Sequence, residues 1–456
     1  MTAVKSERAI LGVLFAGVLM AALDIAIVGP ALPAIRGAFD VGGRALPWVF
    51  SVYVLFYVVG TPLLAKRSDR HGRRVVFVQS LALFALGSLV VAGAQNYPML
   101  LVGRAVQAFG AGGLFPVAAA VIADTVPLER RGRVLGLIGA TFGVAFLLGP
   151  LLGGLLLPWS WRWLFLINVP IAGLLIALAR RTLPQLGQSE SRAFDARGAA
   201  LLSVVLAAIV VGVGQIDTEQ WTASLTSLRV WPWLLLAAIS APLLWSVEKR
   251  AVDPVLPPAL LHSGQLKLVG AIALAAGAVE AGMVFLPDVA VLGLGVDAAA
   301  ASFMMLPLVL TLAVGAPLAG QLLDRVGPRA VVQAGLSLTA AGLVLLALAP
   351  LDLVSFYSAG AVIGFGLSAL LGAPLRYITL QEAGEERRGS GQGLLTLCVS
   401  VGQLIGSAVI GGLVGSTADA LGGYRHALLA VSVVCAVALM LSLALRGRVS
   451  YRQAAG

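Results

Sequence analysis

Long apolar runs alternate along the chain with short polar joints rich in arginine and glycine. A helix needs about 20 apolar residues to cross a bilayer. Such runs fall at roughly 10–33, 46–65, 75–94, 99–123, 133–157, 161–179, 199–215, 231–247, 269–293, 301–323, 330–350, 355–379, 391–414 and 426–445. They predict fourteen spans in an all-α polytopic membrane protein, the seventh and eighth being the shortest. An even number returns both ends of the chain to one side. Lys5 and Arg8 near one end and Arg446, Arg448 and Arg452 near the other mark that side as the cytoplasm. The first run is read as an uncleaved span, because no cleavage site follows it and Asp24 interrupts it.

Two of the polar joints are copies of one another. Gly60 to Arg74, GTPLLAKRSDRHGRR, recurs 255 residues later at Gly315 to Arg329, GAPLAGQLLDRVGPR. The copies match at Gly60/Gly315, Pro62/Pro317, Leu63/Leu318, Asp69/Asp324, Arg70/Arg325, Gly72/Gly327 and Arg74/Arg329. Glu129-Arg130-Arg131-Gly132 likewise recurs as Glu386-Arg387-Arg388-Gly389. Two pairs in register mean a duplication, the signature of a two-fold transporter. Six spans with short loops need only about 190 residues, so the spacing leaves room for an extra pair between the halves. The expected division is a six-helix bundle over 1–181, linkers and two extra spans over 182–263, and a second bundle over 264–456. The linker-like stretches are Gln185 to Arg197 and Ala251 to Ser263, the latter holding Pro254, Pro257 and Pro258.

Composition agrees with a bilayer as solvent: 59% of residues are hydrophobic and only 11% charged, against about 25% charged in a soluble domain. The formal charge of +10 raises the question of nucleic acid. Most of the Lys and Arg, however, fall on one side of the predicted membrane, which is a positive-inside bias instead. Trp48, Trp159, Trp161, Trp163, Trp221, Trp231 and Trp233 gather in or beside the predicted outer loops, where interfacial tryptophan belongs. No P-loop is present, so no built-in ATPase is expected. Cys398 and Cys435 lie within apolar runs, as packed thiols rather than a disulfide. His71, His262 and His426 are scattered, and no metal site, cofactor site or nucleophile triad is visible.

Several stretches resemble the major facilitator superfamily, and within it the 14-span branch of drug/proton antiporters. Gly60 to Arg74 resembles that family's loop between helices 2 and 3. LVGRAVQAFGAGG, with Arg104, resembles its helix 4 motif, and GLIGATFGVAFLLGPLLGG over 136–154 its helix 5 antiporter motif. LDIAIVGPALPAI over 23–35 resembles the first-helix signature of the 14-span branch. The chain departs from the pattern at Ala65, Arg67, Ala145, Ala26 and Gly29. The resemblance implies two six-helix bundles around a midplane cavity, alternating access and proton-coupled export, with Arg104 tied to proton transfer. The implied partners are a small-molecule substrate, protons and membrane lipids, with no nucleic acid, in a monomer of the cytoplasmic membrane.

The candidate site residues follow from what is costly in a membrane. Asp24 lies midway along the first span, where an ionised carboxylate costs about 2.5–3.5 kcal/mol and marks a functional group by default. The rival reading is a permanently paired structural carboxylate. Pro30, four residues after Ala26, frees the latter's carbonyl, a local break suited to a cavity wall. Glu280 is close to the repeat-equivalent place, and Asp288 follows beside Pro287, either in the cavity or solvated at the outer interface. Arg104 keeps its charge and therefore needs a carboxylate or carbonyl partner. Gly60, Asp69, Arg70, Gly72, Arg73, Arg74 and Asp124, with Asp324 and Arg325 in the second copy, form a candidate conformational gate. A merely solvated basic loop explains the arginines but not the repeated Asp. In the helix 5 motif, Gly136, Gly139, Gly143, Gly149, Gly153 and Gly154 permit close helix approach and Pro150 adds a bend. Beyond export of hydrophobic molecules, cations among them, two rivals stand: export or flipping of a lipid, glycolipid or secreted metabolite, and a membrane receptor or assembly protein that does not transport.

Overall fold

The computed structural model describes residues 2–185, 196–217, 221–251, 254, 258, 260–384 and 388–447. Residues 186–195 of the first linker, Pro257, Glu386, Arg387, Arg448 and Arg452 lie outside the described residues, as do the surroundings of Gly136 and Gly139. Every regular element among the described residues is helical.

The chain forms two compact units. The first comprises Met1–Val41, Trp48–Ser203 and Arg250–Val255. Its helices are α1 Thr2–Phe39, α2 Trp48–His71, α3 Arg73–Ala92, α4 Tyr97–Thr125, α5 Leu128–Leu156, α6 Arg162–Leu166 and α7 Asn168–Thr182. Helix α8, Ala196–Gly214, carries the chain onward into the second unit, which comprises Gly42–Pro47, Val204–Lys249 and Leu256–Gly456. There follow α9 Trp221–Leu225, α10 Trp231–Glu248, α11 Gly264–Val284, α12 Leu286–Leu294, α13 Ala298–Phe303 and α14 Leu306–Val326. The last are α15 Pro328–Leu348, α16 Leu353–Leu371, α17 Ala373–Ala383, α18 Arg388–Ser416 and α19 Ala420–Ser442.

Among the described residues thirteen helical runs are long and apolar enough to cross a membrane. The remaining expected span coincides with α5, whose described apolar stretch is Gly143–Leu156. Four expected spans are built from two helices each, the tenth from α13 and α14 with Met304 and Met305 between them. Pro287 allows α11 to end at Val284 and α12 to begin at Leu286, with Pro at the start of the new helix. A non-helical Gly372 separates α16 from α17, and Ile167 joins α6 to α7. The first span differs in the other direction. Helix α1 continues through Pro30 and Pro33, so the break expected at Ala26 is a lost hydrogen bond and not a helix end.

The duplication seen in sequence reappears as a packing pattern inside each unit. In the first, α4 lies against α2 and α3, α1 against α5, and α3 against α7. In the second, α16 lies against α14 and α15, α11 against α18, and α15 against α19. In lipid there is little hydrophobic drive between helices, so close backbone approach has to supply the packing. The small residues supply it. A Cβ at Gly110 would lie 2.6 Å from the Phe84 nitrogen of α3, and one at Gly112 2.7 Å from the Tyr57 carbonyl of α2. Helix α4 is thus held between two backbones, with Phe77, Leu81, Phe84, Leu114 and Val117 filling the core around it.

The repeated turn has a backbone reason for its glycine. Gly72 and Gly327 have φ of 94° and 86°, a conformation open to glycine and strained for residues with a Cβ. Each ends one helix and starts the next within a single residue, between α2 and α3 and between α14 and α15.

Candidate functional site

Helix α1 brings Asp24 into the middle of the first unit, where its side chain has no exposed surface. Arg104, two turns into α4, is equally buried and donates from Nη1 to Asp24 Oδ2 at 2.6 Å. Gln107, one turn along the same face of α4, donates from Nε2 to Asp24 Oδ1 at 2.7 Å. Asn168 at the start of α7 reaches Oδ1 at 3.4 Å. Three side chains from two helices thus meet at one carboxylate of a third.

Further contacts orient the guanidinium. Nη1 also donates to Gln107 Oε1 at 2.7 Å and Nε to the Val49 carbonyl of α2 at 3.3 Å. Its carbon lies 4.1 Å from the Tyr53 ring centre and 5.6 Å from that of Phe165, the geometry of cation–π attraction. Gln107 Nε2 donates as well to Ser88 Oγ of α3 at 2.8 Å, and Ser88 Oγ passes its own hydrogen to the Phe84 carbonyl at 2.9 Å. Arg104 Nη2, Tyr53 Oη and Asn168 Oδ1 are buried with no hydrogen-bond partner among the described residues. An unmet buried polar group costs about 1–3 kcal/mol. The cage therefore holds spare donors and acceptors, and more than one hydrogen-bond arrangement is open to it. Beside it lies an apolar recess lined by Val18, Ala21, Ile25, Tyr57, Ala111 and Phe115, with Tyr57 stacked on Tyr53.

The expectation that Arg104 needs a carboxylate or carbonyl is met by both: Asp24 and Val49. Gln107, Asn168, Ser88 and Tyr53 were missed from the sequence. Gln107 had a signal, as an amide three residues after Arg104 on the same helix face. Asn168 is a lone amide in an apolar run. Nothing in the sequence marks Ser88 or Tyr53.

The helix 5 glycines act at the same helix. A Cβ at Gly149 would lie 2.7 Å from the Ala26 Cβ and 2.8 Å from the Ala26 carbonyl oxygen. This is the carbonyl that Pro30 frees, two residues from Asp24. Gly153, Gly154 and Pro150 are buried, whereas a Cβ at Gly143 would meet nothing within 4 Å.

In the charged turn Arg73 is the hub. Its Nη1 pairs with Asp69 and donates to Ser68 Oγ at 2.8 Å, and its Nε donates to Asp124 Oδ2 of α4 at 3.1 Å. Arg74 Nη1 reaches the Arg180 carbonyl at the end of α7 at 3.3 Å, and Arg70 is exposed. The turn thus ties the ends of α2, α4 and α7 to the first residues of α3. In the second copy Pro328 stands where the first has Arg73, so that copy keeps the glycine turn and lacks the hub. Asp324 and Arg325 are exposed there.

The second unit holds the other two acids. Asp288, in the first turn of α12, is 1% exposed and accepts from Tyr424 Oη of α19 at 2.6 Å. It is not a solvated interfacial group, because the helix break at Phe285 turns it inward. An apolar recess lined by Phe285, Val289, Ile410, Tyr424, Leu428 and Val431 adjoins it. Glu280 on α11 is half-buried, with Gln403 of α18 hydrogen-bonded to its side chain. Among the described residues no group of three or more His, Cys, Asp or Glu comes together as a metal site.

A duplicated bundle of membrane helices, with a charge cage sealed at mid-span and matched helix turns, defines a polytopic membrane transporter. The chain belongs to the Major Facilitator Superfamily, whose family model matches residues 14–288 and 268–455. It is 35% identical over 429 residues to the uncharacterized MFS-type transporter YfiU of Bacillus subtilis (strain 168), covering 92% of this chain and 82% of that one. It is 33% identical over 421 residues to a triacylglyceride transporter of Mycobacteroides abscessus, covering 87% and 80%. Identity is 29% over 402 residues to the multidrug resistance protein Stp of Mycobacterium tuberculosis, covering 87% and 73%. In fold it is similar to a bacterial homolog of the human lysosomal transporter Spinster, with TM-score 0.67, 16% identity and 96% coverage of both chains.

Proposed function

We propose that the protein exports hydrophobic, cationic small molecules across the cytoplasmic membrane in exchange for protons. The observation that carries this reading is the Asp24–Arg104 pair, sealed at mid-membrane yet surrounded by spare polar groups. When Asp24 takes a proton, Arg104 loses its counter-charge and keeps Val49, Gln107 and the Tyr53 face. The hydrogen bonds of Gln107 and Asn168 then redistribute. Because breaking a buried ion pair costs about 3–5 kcal/mol, the two protonation states favour different packings of α1 and α4. Gly149 passes such a change on α1 directly to α5. Alternating access would follow as residues 1–181 and 264–456 rock against one another, with 182–263 carrying the extra pair of spans. The Arg73 hub would hold one state until its ties to Asp69 and Asp124 part.

One proton exchanged for one monovalent cation moves no net charge, so the pH gradient alone drives that cycle. Each further proton carried inward across 100 mV adds about 2.3 kcal/mol, roughly fifty-fold in accumulation at 1.4 kcal/mol per factor of ten. The positive-inside bias supports a cytoplasmic side for both termini, and a cage complete within one chain supports a monomer.

The relative named a triacylglyceride transporter favours a second reading, export of a neutral lipid or glycolipid by the same scaffold. Flux of a fluorescent dye cation and of a fluorescent lipid should be measured in proteoliposomes under an imposed pH gradient, wild type beside Asp24→Asn. Gradient-driven dye flux lost in the variant supports antiport. Lipid movement without dye movement supports the second reading, and neither movement sinks both.

A further inference from the structure

The six residues Gly42–Pro47 join α1 to α2, yet they belong to the second unit. What seats them there is a cradle at the end of α18. Gly411 faces Pro47, at 3.0 Å from where its Cβ would be, and the side chain of Arg44 covers Gly415. Gly43 in turn leaves room for Val414. On its other side α18 meets the inserted span, where a Cβ at Gly412 would lie 3.3 Å from the Ile216 carbonyl just beyond α8. The approaches at Gly43 and Gly415 leave no room for a Cβ unless a neighbour shifts, and those at Gly411 and Gly412 leave it little.

One side chain ties the pieces together. Arg44 Nη2 donates to Ser416 Oγ at 3.3 Å and pairs with Asp217 Oδ2 at 3.4 Å, three residues after the end of α8. The bonded ends are at the opposite end of α2 from the Gly72 turn. The side chains of Arg44 and Asp217 are 31% and 37% exposed, so the tie is weak enough to open. An arginine is also out of place on the side that the positive-inside bias leaves poor in cations. Its guanidinium has a specific task there.

We infer that Gly42–Pro47 is a strap, pinned by Arg44 into a cradle that the inserted span completes through Asp217, and that it undocks and redocks during the protein's working cycle. This gives the extra pair of spans a conformational role beyond filling lipid-facing surface. The strap does not depend on which substrate is carried or on proton coupling.

The test is the thiol-labelling rate of Ala45→Cys in protein in lipid nanodiscs, where both faces meet solvent. Protein without the new cysteine measures the background from Cys398 and Cys435. Adding Arg44→Gln or Asp217→Asn is expected to speed labelling about threefold, the scale of an exposed ion pair. Adding Ser416→Ala should give a smaller increase. Exchanging the charges, Arg44→Asp with Asp217→Arg, should return the rate toward the starting value. Equal rates in all variants overturn the strap. A rise with Arg44→Gln but none with Asp217→Asn removes the inserted span from it. A detergent-melting curve for each variant separates a misfolded sample, whose Cys398 and Cys435 also react, from an undocked strap.

Discussion

The Asp24–Arg104 pair lends itself to a double-mutant cycle. Asp24→Asn keeps the side chain's shape but replaces one oxygen by a donor, which then faces the donors of Arg104 or Gln107. Hydrogen bonds to charged groups are worth about 1.5–3 kcal/mol, and leaving one buried charge unpartnered costs about 3–5 kcal/mol. With both residues at 0% exposure solvent screening is minimal, so Asp24→Asn should destabilise by about 3 kcal/mol. Arg104→Gln strands the carboxylate and vacates the space beside Tyr53 and Phe165, and should cost at least as much. The double variant removes both charges and should cost less than the sum by about 2–3 kcal/mol, within the range seen for contacting residues. Reversible unfolding in mixed micelles titrated with denaturing detergent measures all four corners. Additivity within about 0.5 kcal/mol would refute the view that the cage is one energetic unit, and with it the argument that protonation of Asp24 is felt by α4.

Other outcomes follow from single contacts. Gly149→Val should destabilise by about 1–3 kcal/mol through overpacking against Ala26, while Gly143→Ala, with nothing within 4 Å of the added carbon, should melt like wild type. Arg73→Ala removes the ties to Asp69, Ser68 and Asp124; it should slow flux at unchanged substrate affinity, and a loss of affinity with normal turnover would disprove a gating role. Asp352 caps α16 by accepting the Ser355 backbone N–H at 2.7 Å, which holds its carboxyl below its usual 3.8. A lowered folded value means the cap is present above the unfolded value and lost as pH falls through the folded one. Protection of the Ser355 amide, its exchange taken relative to the intrinsic rate at each pH, should therefore fall below about pH 4, and Asp352→Asn should flatten that dependence.

The spans were legible because the bilayer leaves so few solutions. Backbone groups in hydrocarbon must bond within the segment, so each crossing announces itself as an apolar run of predictable length. Where an expected span is not one unbroken helix, local residues decided it: Pro287 started a new helix inside the ninth, and Gly372 divided the twelfth. Prolines in α1 did the opposite and left the helix continuous. Proline position alone does not tell which, because neighbouring helices decide whether the freed carbonyl is tolerated.

The site was half legible. Asp24 and Arg104 stood out because charge in an apolar run is costly wherever the chain goes next. That they meet each other is another matter, since 80 residues separate them and Arg104 could equally have bonded to carbonyls alone. The amides and hydroxyls around them carry no such warning, because one uncharged polar residue in a span costs little and is common.

From the sequence alone come the membrane, the number of spans, the duplication and the glycine of each repeated turn, all set by local rules of length, period and backbone conformation. Tertiary structure alone decided which buried charges pair, that Arg73 gathers Asp69, Ser68 and Asp124 of α4 into one cluster, that Asp288 turns inward to Tyr424, and that Gly42–Pro47 packs against α18. These depend on which helix faces lie against each other. That is fixed by close approach of small residues distant along the chain, and no period within a single segment encodes it.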